Sequence, residues 1–599
     1  MNQLEQYLSV ENSGRGEWLD NENVVFINNK SGVPQIWQKS LSTGETRQRT
    51  FYSERIFRVQ THMDTRSIIF CMDEGGNEQE QIYLLKDGAE EPVNLTNNPE
   101  VRHYLGGMTN DGKKIIMSCN ARKRASFDIC SIDVETGEIK TILQNEDNYN
   151  LPACLSPNGQ YLLYNKLLAT SDNALWMVDV NNGKAVKIPE DDTVAQYVNP
   201  TWRSDSKGFY LLTDREDEYT YVAYYDIETK SLKPYYKTNW DIEAISLSSD
   251  NRYLVMLINE DGYSSMKIMD TKNGIFINHP IPPLGVISYY ESITWSQKGH
   301  KLLFSLTSGK RTSDLWILDI DNDSLKRITN SSMADLNTDV LVEPELKKYK
   351  SFDGLEVPFW LYTPVGKSPE NLPVVIEIHG GPEGQERPIY NPLIQYLLNE
   401  GIAVVAPNVR GSIGYGKSYH HLDDVEKRLD SVKDIDSLVE YIVNSNIADK
   451  NKIAVMGTSY GGYMTLSSLS RYPHLWACGI DIVGMFNLET FMENTAEYRR
   501  AHRGSEYGTL EHHREILREV SPIRKVDDIT APLMVVHGAN DPRVPVGEAE
   551  QVVDCLAKRG VSVKYLRYED EGHGISKMKN KLHCYPQMAE FLKRNLGIK

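Results

Sequence analysis

The chain has 599 residues, 40% of them hydrophobic, so it is long enough for more than one domain with a packed core. Its formal net charge of −18 argues against nucleic acid or an anionic membrane as a main partner, since both are polyanions. The seven cysteines are widely spaced and include no C-x-x-C pair, which is typical of a reducing compartment. The amino terminus carries no secretory signal, and no run of about 18 apolar residues occurs. We therefore expect a soluble cytoplasmic protein without a membrane partner.

A repeated pattern runs through residues 15–332. A polar turn followed by an apolar strand recurs, and a second strand that ends in an acidic turn follows it. Seven units of about four strands at this period predict a seven-bladed β-propeller, because packing sheets around an axis buries both of their faces. An irregular pair of β-sandwiches is the alternative, and the closure of the ring is not predicted. Alignment of the units places seven residues at one equivalent position, 44 to 49 residues apart: Trp37, Tyr83, Cys130, Trp176, Ala223, Lys267 and Trp316.

The pattern changes near residue 341 to alternating strands and helices, which predicts a parallel sheet. The segment 328–346 has no strong Gly/Ser run, so we expect the two halves to be packed together. The predicted organisation is a propeller with a short amino-terminal segment in residues 1–335 and an α/β-hydrolase fold in residues 336–599. Strands are expected at 359–363, 373–378, 401–406, 452–456, 533–536 and 563–567, with helices at 394–399 and 425–445.

The stretch 457–461 reads G-x-S-x-G and lies between the strand at 452–456 and a plausible helix at 463–469. Strand, sharp glycine turn and helix are the context of a nucleophile elbow, in which the serine hydroxyl projects above the sheet. The alternative is an ordinary turn whose serine caps the helix. We interpret Ser459 as the nucleophile.

In an α/β-hydrolase the serine is followed along the chain by the acid and then by the histidine. Asp541 follows a strand and a glycine loop, and His573 lies between two glycines after the last predicted strand. His573 would accept the Ser459 proton, while Asp541 would orient the imidazole and stabilise its cation. Asp570 and His583 are the weaker alternatives, and His583 falls in a predicted helix.

An oxyanion hole needs two donors directed at the developing negative charge. The backbone N–H of Tyr460 is one candidate because it follows the nucleophile. The second is the N–H of Gly381 in the loop His379-Gly380-Gly381-Pro382, whose glycines allow a close backbone approach. We expect His379 itself to shape this loop.

These motifs together resemble the prolyl oligopeptidase family of serine peptidases, and the repeat ahead of them fits that family as well. H-G-G-P at 379–382 is similar to the acylaminoacyl-peptidase-like branch, since other branches carry a tyrosine where His379 stands. The resemblance implies that Arg543 holds a substrate carbonyl and that Val544 and Tyr460 border the S1 pocket. The segments that carry it are 379–382, 408–416, 457–463, 541–545 and 572–574.

The expected function is that of a serine peptidase acting on short or N-acylated peptides through an acyl-enzyme, with the propeller limiting substrate size. One alternative is an esterase of the same fold, and another is a non-enzymatic propeller scaffold. A dipeptidyl-peptidase-like exopeptidase is a third, although no convincing paired-glutamate motif for a free amino terminus is found.

No organic cofactor or metal is implied. Asp319-x-Asp321-x-Asp323 lacks the glycine and the final glutamate of a calcium loop. Homo-oligomers, which are common in the family, are left open.

Overall fold

In the computed structural model, which describes residues 3–146, 149–169, 172–287 and 293–598, a ring of seven four-stranded sheets precedes a domain with one eight-stranded sheet. This confirms the predicted fold class of a seven-bladed β-propeller plus an α/β-hydrolase fold. A short helix, α1 (Gln3–Leu8), comes before the ring. None of the helices within these ranges is long and apolar enough to cross a membrane.

Each blade is an antiparallel sheet of four strands that follow one another in the chain. Blade 1 contains β1 (Ser13–Trp18), β2 (Asn23–Asn28), β3 (Gln35–Ser40) and β4 (Thr46–Gln48). Blade 2 contains β5 (Ile56–His62), β6 (Ser67–Met72), β7 (Gln81–Leu85) and β8 (Val93–Asn94). Blade 3 contains β9 (His103–Met108), β10 (Lys114–Lys123), β11 (Ser126–Asp133) and β12 (Ile139–Leu143).

The remaining four blades repeat this arrangement. Blade 4 contains β13 (Asn150–Leu155), β14 (Tyr161–Leu167), β15 (Asn173–Asp179) and β16 (Ala185–Ile188). Blade 5 contains β17 (Tyr197–Trp202), β18 (Gly208–Thr213), β19 (Tyr221–Asp226) and β20 (Ser231–Tyr236). Blade 6 contains β21 (Ile242–Leu247), β22 (Tyr253–Glu260), β23 (Tyr263–Asp270) and β24 (Ile275–Phe276). Blade 7 contains β25 (Thr294–Trp295), β26 (Lys301–Ser308), β27 (Arg311–Asp319) and β28 (Ser324–Arg327).

The seven residues aligned from the sequence all lie on the third strand of their blades, which confirms the repeat. Large side chains at this position pair across the sheet with large side chains of the second strand, as in Phe26 opposite Trp37 and Phe304 opposite Trp316. Blade 6 has Lys267 instead, and its ammonium group lies 5.7 Å from the centre of the Phe276 ring. The aliphatic part of Lys267 and its cation–π contact provide the packing that an aromatic side chain provides at this position in other blades.

The ring closes between blades 1 and 7, and each of these blades is built only from its own consecutive strands. Polar contacts cross the seam: the hydroxyls of Ser13 and Ser331 lie 3.0 Å apart, and Trp18 Nε1 donates to the Thr294 carbonyl at 3.2 Å. An apolar cluster completes the seam, with Trp18, Val24, Phe26, Leu303, Leu315 and Ile317 among its members. Closure therefore rests on side-chain packing and a few hydrogen bonds.

The second domain has eight strands in the order β29-β30-β32-β31-β33-β34-β35-β36, of which β31 to β36 pair in parallel. The strands are β29 (Glu345–Lys350), β30 (Glu356–Tyr362), β31 (Leu372–Ile378), β32 (Ala403–Pro407), β33 (Ala448–Thr458), β34 (Cys478–Ile482), β35 (Leu533–Gly538) and β36 (Val563–Tyr568). Two of them, β29 and β34, were not predicted from the sequence.

Helices cover both faces of this sheet, so its strands are buried on both sides. The α-helices are α2 (Pro392–Asn399), α3 (Lys417–His420), α4 (Arg428–Asn444), α5 (Tyr460–Arg471), α6 (Leu488–Asn494), α7 (Glu497–Tyr507), α8 (Arg514–Val520), α9 (Gly547–Lys558) and α10 (Met578–Asn595). Shorter 3-10 helices lie at Thr338–Val340, His421–Asp423, Val425–Lys427, Pro473–Leu475 and Pro522–Asp528. One apolar cluster joins α4, α5 and α9 to the sheet, and a second joins α2 and α10 to its other face.

The two domains are held together by buried contacts. Arg387 of the catalytic domain pairs with Glu243 of blade 6 at 2.8 Å, and both side chains are buried. Leu4 and Leu8 of α1 pack against Ala589 of α10, so the amino-terminal helix rests on the catalytic domain rather than on the ring.

Candidate active site

Ser459 lies at the sharp turn between β33 and α5 and has φ 62° and ψ −115°. A positive φ is strained for a residue with a side chain, and such strain is common where a side chain must be presented for function. The neighbouring glycines make the turn feasible. A Cβ on Gly461 would lie 1.9 Å from the Ile378 carbonyl oxygen, and one on Gly457 would lie 2.4 Å from the Gly461 carbonyl carbon.

A buried polar network supports the beginning of α5. The Tyr460 hydroxyl donates to Asp423 at 2.9 Å and lies 2.8 Å from the Ser431 hydroxyl. The Arg428 guanidinium contacts both Asp423 and Glu506. The Tyr460 ring is therefore directed into the core and is not among the residues that line the cavity at Ser459, and that it borders S1 stays a prediction.

The same network contains three carboxylates, of Asp423, Asp424 and Glu506, whose oxygens lie within 4.8 Å of one another. Because the Arg428 cation pairs with Asp423 and Glu506, it supplies the positive charge that a metal ion would otherwise bring. We therefore interpret the three carboxylates and Arg428 as a network that stabilises the fold around the beginning of α5.

Asp541 lies in the loop after β35 and His573 in the loop after β36, and their side chains meet. The distance from His573 Nδ1 to Asp541 Oδ2 is 2.6 Å. The other oxygen, Asp541 Oδ1, accepts hydrogen bonds from the backbone N–H groups of Arg543 at 2.8 Å and Val544 at 3.0 Å. Backbone donors thus orient the Asp541 carboxylate, and the carboxylate orients the His573 imidazole through Nδ1. This leaves Nε2 of His573 available for proton transfer.

A second histidine lies beside this pair. His537 Nε2 is 2.9 Å from the Val544 carbonyl and 3.7 Å from Asp541 Oδ2. Burial lowers the pKa of His537, so it is neutral and donates to the carbonyl. His537 therefore fixes the loop that carries Asp541 without adding a charge.

The two weaker candidates have other contacts. Asp570 pairs with Lys579 at 2.7 Å and with Lys577 at 3.4 Å, and the hydrogen bond to Lys579 is the largest cause that lowers the pKa of Asp570 to about 2. His583 lies on α10, where its ring contacts the Tyr568 hydroxyl at 2.9 Å.

One cavity of about 270 Å³ brings together most of the residues proposed from the sequence. Within the described part of the chain, the Ser459 hydroxyl makes no hydrogen bond to His573. Such bonds are often long without substrate and tighten when it binds. The residues that line the cavity are Gly380, Gly381, Thr458, Ser459, Met485, Phe491, Arg499, Arg503, Tyr507, Arg543, Val544 and His573.

The loop that carries Gly381 is fixed by His379. The His379 ring contacts the Gly380 carbonyl through Nδ1 at 2.8 Å and the Ser412 hydroxyl through Nε2 at 2.9 Å, and burial lowers its pKa. Gly381 has φ 143°, a conformation that favours glycine, and its amide N–H has no acceptor among the described residues. The N–H of Tyr460 is among the first four of α5, which have no partner within the helix. Both candidate oxyanion donors are therefore available.

Arg543 joins the cavity to the propeller. Its Nε pairs with Glu78, which also binds Arg102 at 2.9 Å. Burial raises the pKa of Glu78, but Arg543 and Arg102 outweigh it and bring the pKa to about 2, so this carboxylate stays charged. Glu78 was not identified from the sequence, because only the glycine pair before it, Gly75-Gly76, signals an unusual loop.

The loop 75–78 of blade 2 lies directly on the loops that carry the acid and the histidine. Asn540, next to Asp541, donates from Nδ2 to the Gly75 carbonyl at 3.0 Å. A Cβ added to Gly76 would lie 2.5 Å from the backbone nitrogen of Gly572, next to His573. The propeller therefore forms part of the wall around the candidate site.

Comparison with known proteins gives one family match and several full-length relatives. Residues 390–599 match the model of the prolyl oligopeptidase family. Dipeptidyl peptidase family member 6 of Caenorhabditis elegans is 25% identical over 626 aligned positions, covering 95% of this chain and 82% of that protein.

Solved structures share the whole fold. A puromycin-hydrolyzing peptidase of Mycobacterium tuberculosis superimposes with a TM-score of 0.85 at 18% identity, covering 100% of this chain and 96% of the other. An acylaminoacyl peptidase of Pyrococcus horikoshii gives 0.75 at 17% identity, covering 99% and 97%. At this identity the likeness supports the fold and not a substrate.

Proposed function

We propose that this serine hydrolase, whose residues 390–599 match the model of the prolyl oligopeptidase family, hydrolyses short peptides through Ser459, Asp541 and His573. The observation that carries the proposal is the 2.6 Å contact between His573 and Asp541 at a cavity that Ser459 also lines. Acid, histidine and strained serine come from three separate loops, and a catalytic triad is recognised by such geometry and not by sequence position.

In the proposed reaction, His573 Nε2 removes the proton from the Ser459 hydroxyl as the oxygen attacks the peptide carbonyl carbon. The N–H groups of Tyr460 and Gly381 stabilise the oxyanion of the tetrahedral intermediate. The C–N bond then breaks, the imidazolium gives its proton to the leaving amine, and the acyl group stays on Ser459. Water, deprotonated by His573, attacks the ester and releases the acid and the free serine.

Arg543 is proposed to bind the backbone carbonyl of the residue before P1. Its guanidinium lines the cavity and is held by Glu78. An arginine fixed by a carboxylate is pre-organised, so less conformational entropy is lost when it binds a substrate oxygen.

The test is a Ser459→Ala variant assayed with short peptidyl aminomethylcoumarin substrates, together with labelling by an alkyl fluorophosphonate. We expect loss of at least about 10³-fold in kcat/KM and loss of labelling, with an unchanged thermal unfolding curve. Retained peptide hydrolysis in this variant would refute the proposal. A p-nitrophenyl ester assayed in parallel measures the esterase alternative: esters turned over without any peptide cleavage would favour it.

Glu78 favours a second candidate, an exopeptidase that requires a free amino terminus. It is a charged, buried carboxylate that pairs with Arg543, a residue of the cavity that contains Ser459, and a blocked peptide has no positive charge to match it. The relative from Caenorhabditis elegans bears the name of a dipeptidyl peptidase.

Matched substrates with free and acetylated amino ends distinguish the two candidates. If the exopeptidase candidate is correct, the free form is preferred at least about tenfold, and Glu78→Gln removes that preference. The control is Glu80→Gln, because Glu80 binds Arg102 but makes no ion pair with Arg543 in the described structure. Preference for the acetylated form would support the N-acylated substrates expected from the motifs.

A further inference from the structure

We propose that the pocket beside Ser459 accepts an acidic side chain at P1, the residue whose carbonyl is attacked, and that Arg499 binds its carboxylate. The inference rests on the proposed function and adds a substrate class to it. It makes Arg499 a specificity-determining residue that was not identified from the sequence.

Helix α7 directs two arginines into the cavity. Arg499, Arg503 and Tyr507 are four residues apart, so they lie on one face of the helix, and all three line the cavity that contains Ser459. The neighbouring Tyr498 packs into an aromatic cluster of the propeller, with its ring centre 5.5 Å from that of Phe127 in edge-to-face geometry. This contact fixes the rotation of α7 and thereby the direction of Arg499.

Of the three arginines that line the cavity, two have carboxylate partners. Arg503 pairs with Glu383 at 2.6 Å, and Arg543 pairs with Glu78. Arg499 has no ion pair within 4.0 Å and no side-chain hydrogen bond in the part of the chain that the structure describes. Its guanidinium is therefore available for an anion from outside the protein.

The charges around the cavity show the same imbalance. Arg499 lies near the two other arginines of the cavity, Arg503 and Arg543, each of which has its own carboxylate partner. Burial lowers the pKa of Arg499, and Arg503 and Arg543 lower it further, which outweighs the opposite effect of Glu78, so its charge is unfavourable in the empty cavity. A carboxylate from a substrate would offset this cost, and an arginine–carboxylate pair in a desolvated pocket is strong.

The shape of the cavity favours a glutamate or aspartate side chain over a free anion. Met485, Phe491 and Val544 line it together with the arginines, so an aliphatic stem can contact apolar groups while its carboxylate reaches Arg499. A volume of about 270 Å³ accommodates one side chain of this size. Because Ser459 and Gly381 line the same cavity, its occupant is the side chain next to the attacked carbonyl. A lysine or arginine at P1 would meet like charges and be rejected.

The kinetic test compares peptidyl-Glu and peptidyl-Gln aminomethylcoumarins, which differ only in the charged group, each with a free and an acetylated amino end. The wild type should prefer glutamate at least about tenfold in kcat/KM, and Arg499→Gln should abolish that preference while changing glutamine substrates less than about threefold. Arg499→Lys should restore part of it. The control is Arg500→Gln, which removes a neighbouring half-buried guanidinium that donates to the Glu493 carbonyl and does not line the cavity. Equal or better turnover of glutamine substrates by the wild type would overturn the inference, as would an equal loss on both substrates in Arg499→Gln.

A binding measurement keeps this inference separate from the proposed function. The Ser459→Ala variant, with and without Arg499→Gln, is titrated calorimetrically with the dipeptides Ala-Glu and Ala-Gln. Tighter binding of Ala-Glu by at least about tenfold, lost with Arg499→Gln, supports the acidic pocket whether or not peptides are hydrolysed. Equal affinities refute it. A wild-type protein that is neither labelled by fluorophosphonate nor active would refute the proposed function alone.

Discussion

Gly76 of the propeller and Gly572 of the catalytic domain are packed backbone against backbone beside His573. A Cβ on Gly572 would lie 1.9 Å from the Gly76 carbonyl oxygen, and one on Gly76 would lie 2.5 Å from the Gly572 nitrogen. Neither residue can carry a side chain without moving one of the two domains. The position of the histidine loop therefore depends on a loop of blade 2 nearly five hundred residues earlier in the chain.

Gly76→Ala should separate these loops and displace His573. We expect kcat/KM to fall at least about tenfold, since small misplacements of catalytic groups are costly. Gly88→Ala is the control, because Gly88 has the same φ of 74° and no atom within 4 Å of an added Cβ. Both variants share the strain of a positive φ, about 1–2 kcal/mol, so equal effects on activity would contradict the prediction.

Asp541→Asn should impair catalysis without unfolding the protein. The amide nitrogen would face His573 Nδ1 and favour the tautomer whose Nε2 already carries a proton, so Ser459 would lose its base. We expect kcat to fall by about 10³–10⁴-fold on peptide substrates. Asp570→Asn, whose carboxylate pairs with lysines outside the cavity, serves as the control. A loss below about threefold in Asp541→Asn would rule out the assigned role.

Asp481 on β34 makes stability depend on pH. Its side chain is fully buried, and burial raises its pKa to about 7, well above the value in the unfolded chain. The unfolded state therefore releases this proton first, so the contribution of Asp481 to stability falls as pH rises from about 4 to 7 and then levels off.

In Asp481→Asn this loss is absent. The difference in free energy of unfolding, Asp481→Asn minus wild type, should increase by up to about 4 kcal/mol between pH 4 and 7. Above pH 7 the difference should stay constant. Urea unfolding at several pH values measures the difference. The exposed Asp528→Asn variant should show no such slope, and a flat difference for Asp481→Asn would disprove the assignment.

The buried pair of Arg387 and Glu243 should control which substrates reach Ser459. Glu243→Gln leaves the Arg387 charge without its partner inside the domain interface, which costs about 3–5 kcal/mol. We expect the domains to separate more often and the ratio of long-peptide to short-peptide hydrolysis to rise several-fold. Peptides of about 5 and 30 residues with the same cleavage site measure that ratio. The exposed pair of Lys86 and Glu135 provides the control through Lys86→Gln, and an unchanged ratio in Glu243→Gln would argue against size selection by the interface.

The parts of the molecule that could be predicted are those whose signal is local. Ser459, Asp541 and His573 each follow a strand, with glycines beside them, so a few neighbouring residues suggest both the turn and the chemistry. The propeller could be predicted for a similar reason, because its period repeats seven times. Even Lys267, the one charged residue among the seven aligned positions, fits the pattern because its side chain extends over the Phe276 ring.

Other features depend on contacts that are distant in the chain. Glu78 and Arg543 are separated by 465 positions, and nothing near either residue indicates the other. Arg499 lies on a helix without a motif, between β34 and β35. Two strands were missed because their composition is unusual: β34 contains the buried Asp481, and β29 carries three lysines at the edge of the sheet, where charge discourages further pairing.

The chain enters and leaves the propeller at the seam between blades 1 and 7. The Glu11 N–H donates to the Ser332 carbonyl at 2.9 Å, so the two connections to the catalytic domain run side by side. Since α1 packs on α10, both chain connections hold the two domains together along one edge of the ring. Any separation of the domains must pivot about that edge and open as a wedge. The gap would be widest across the ring, at blades 4 and 5, where the side chain of Glu218 reaches Ser418.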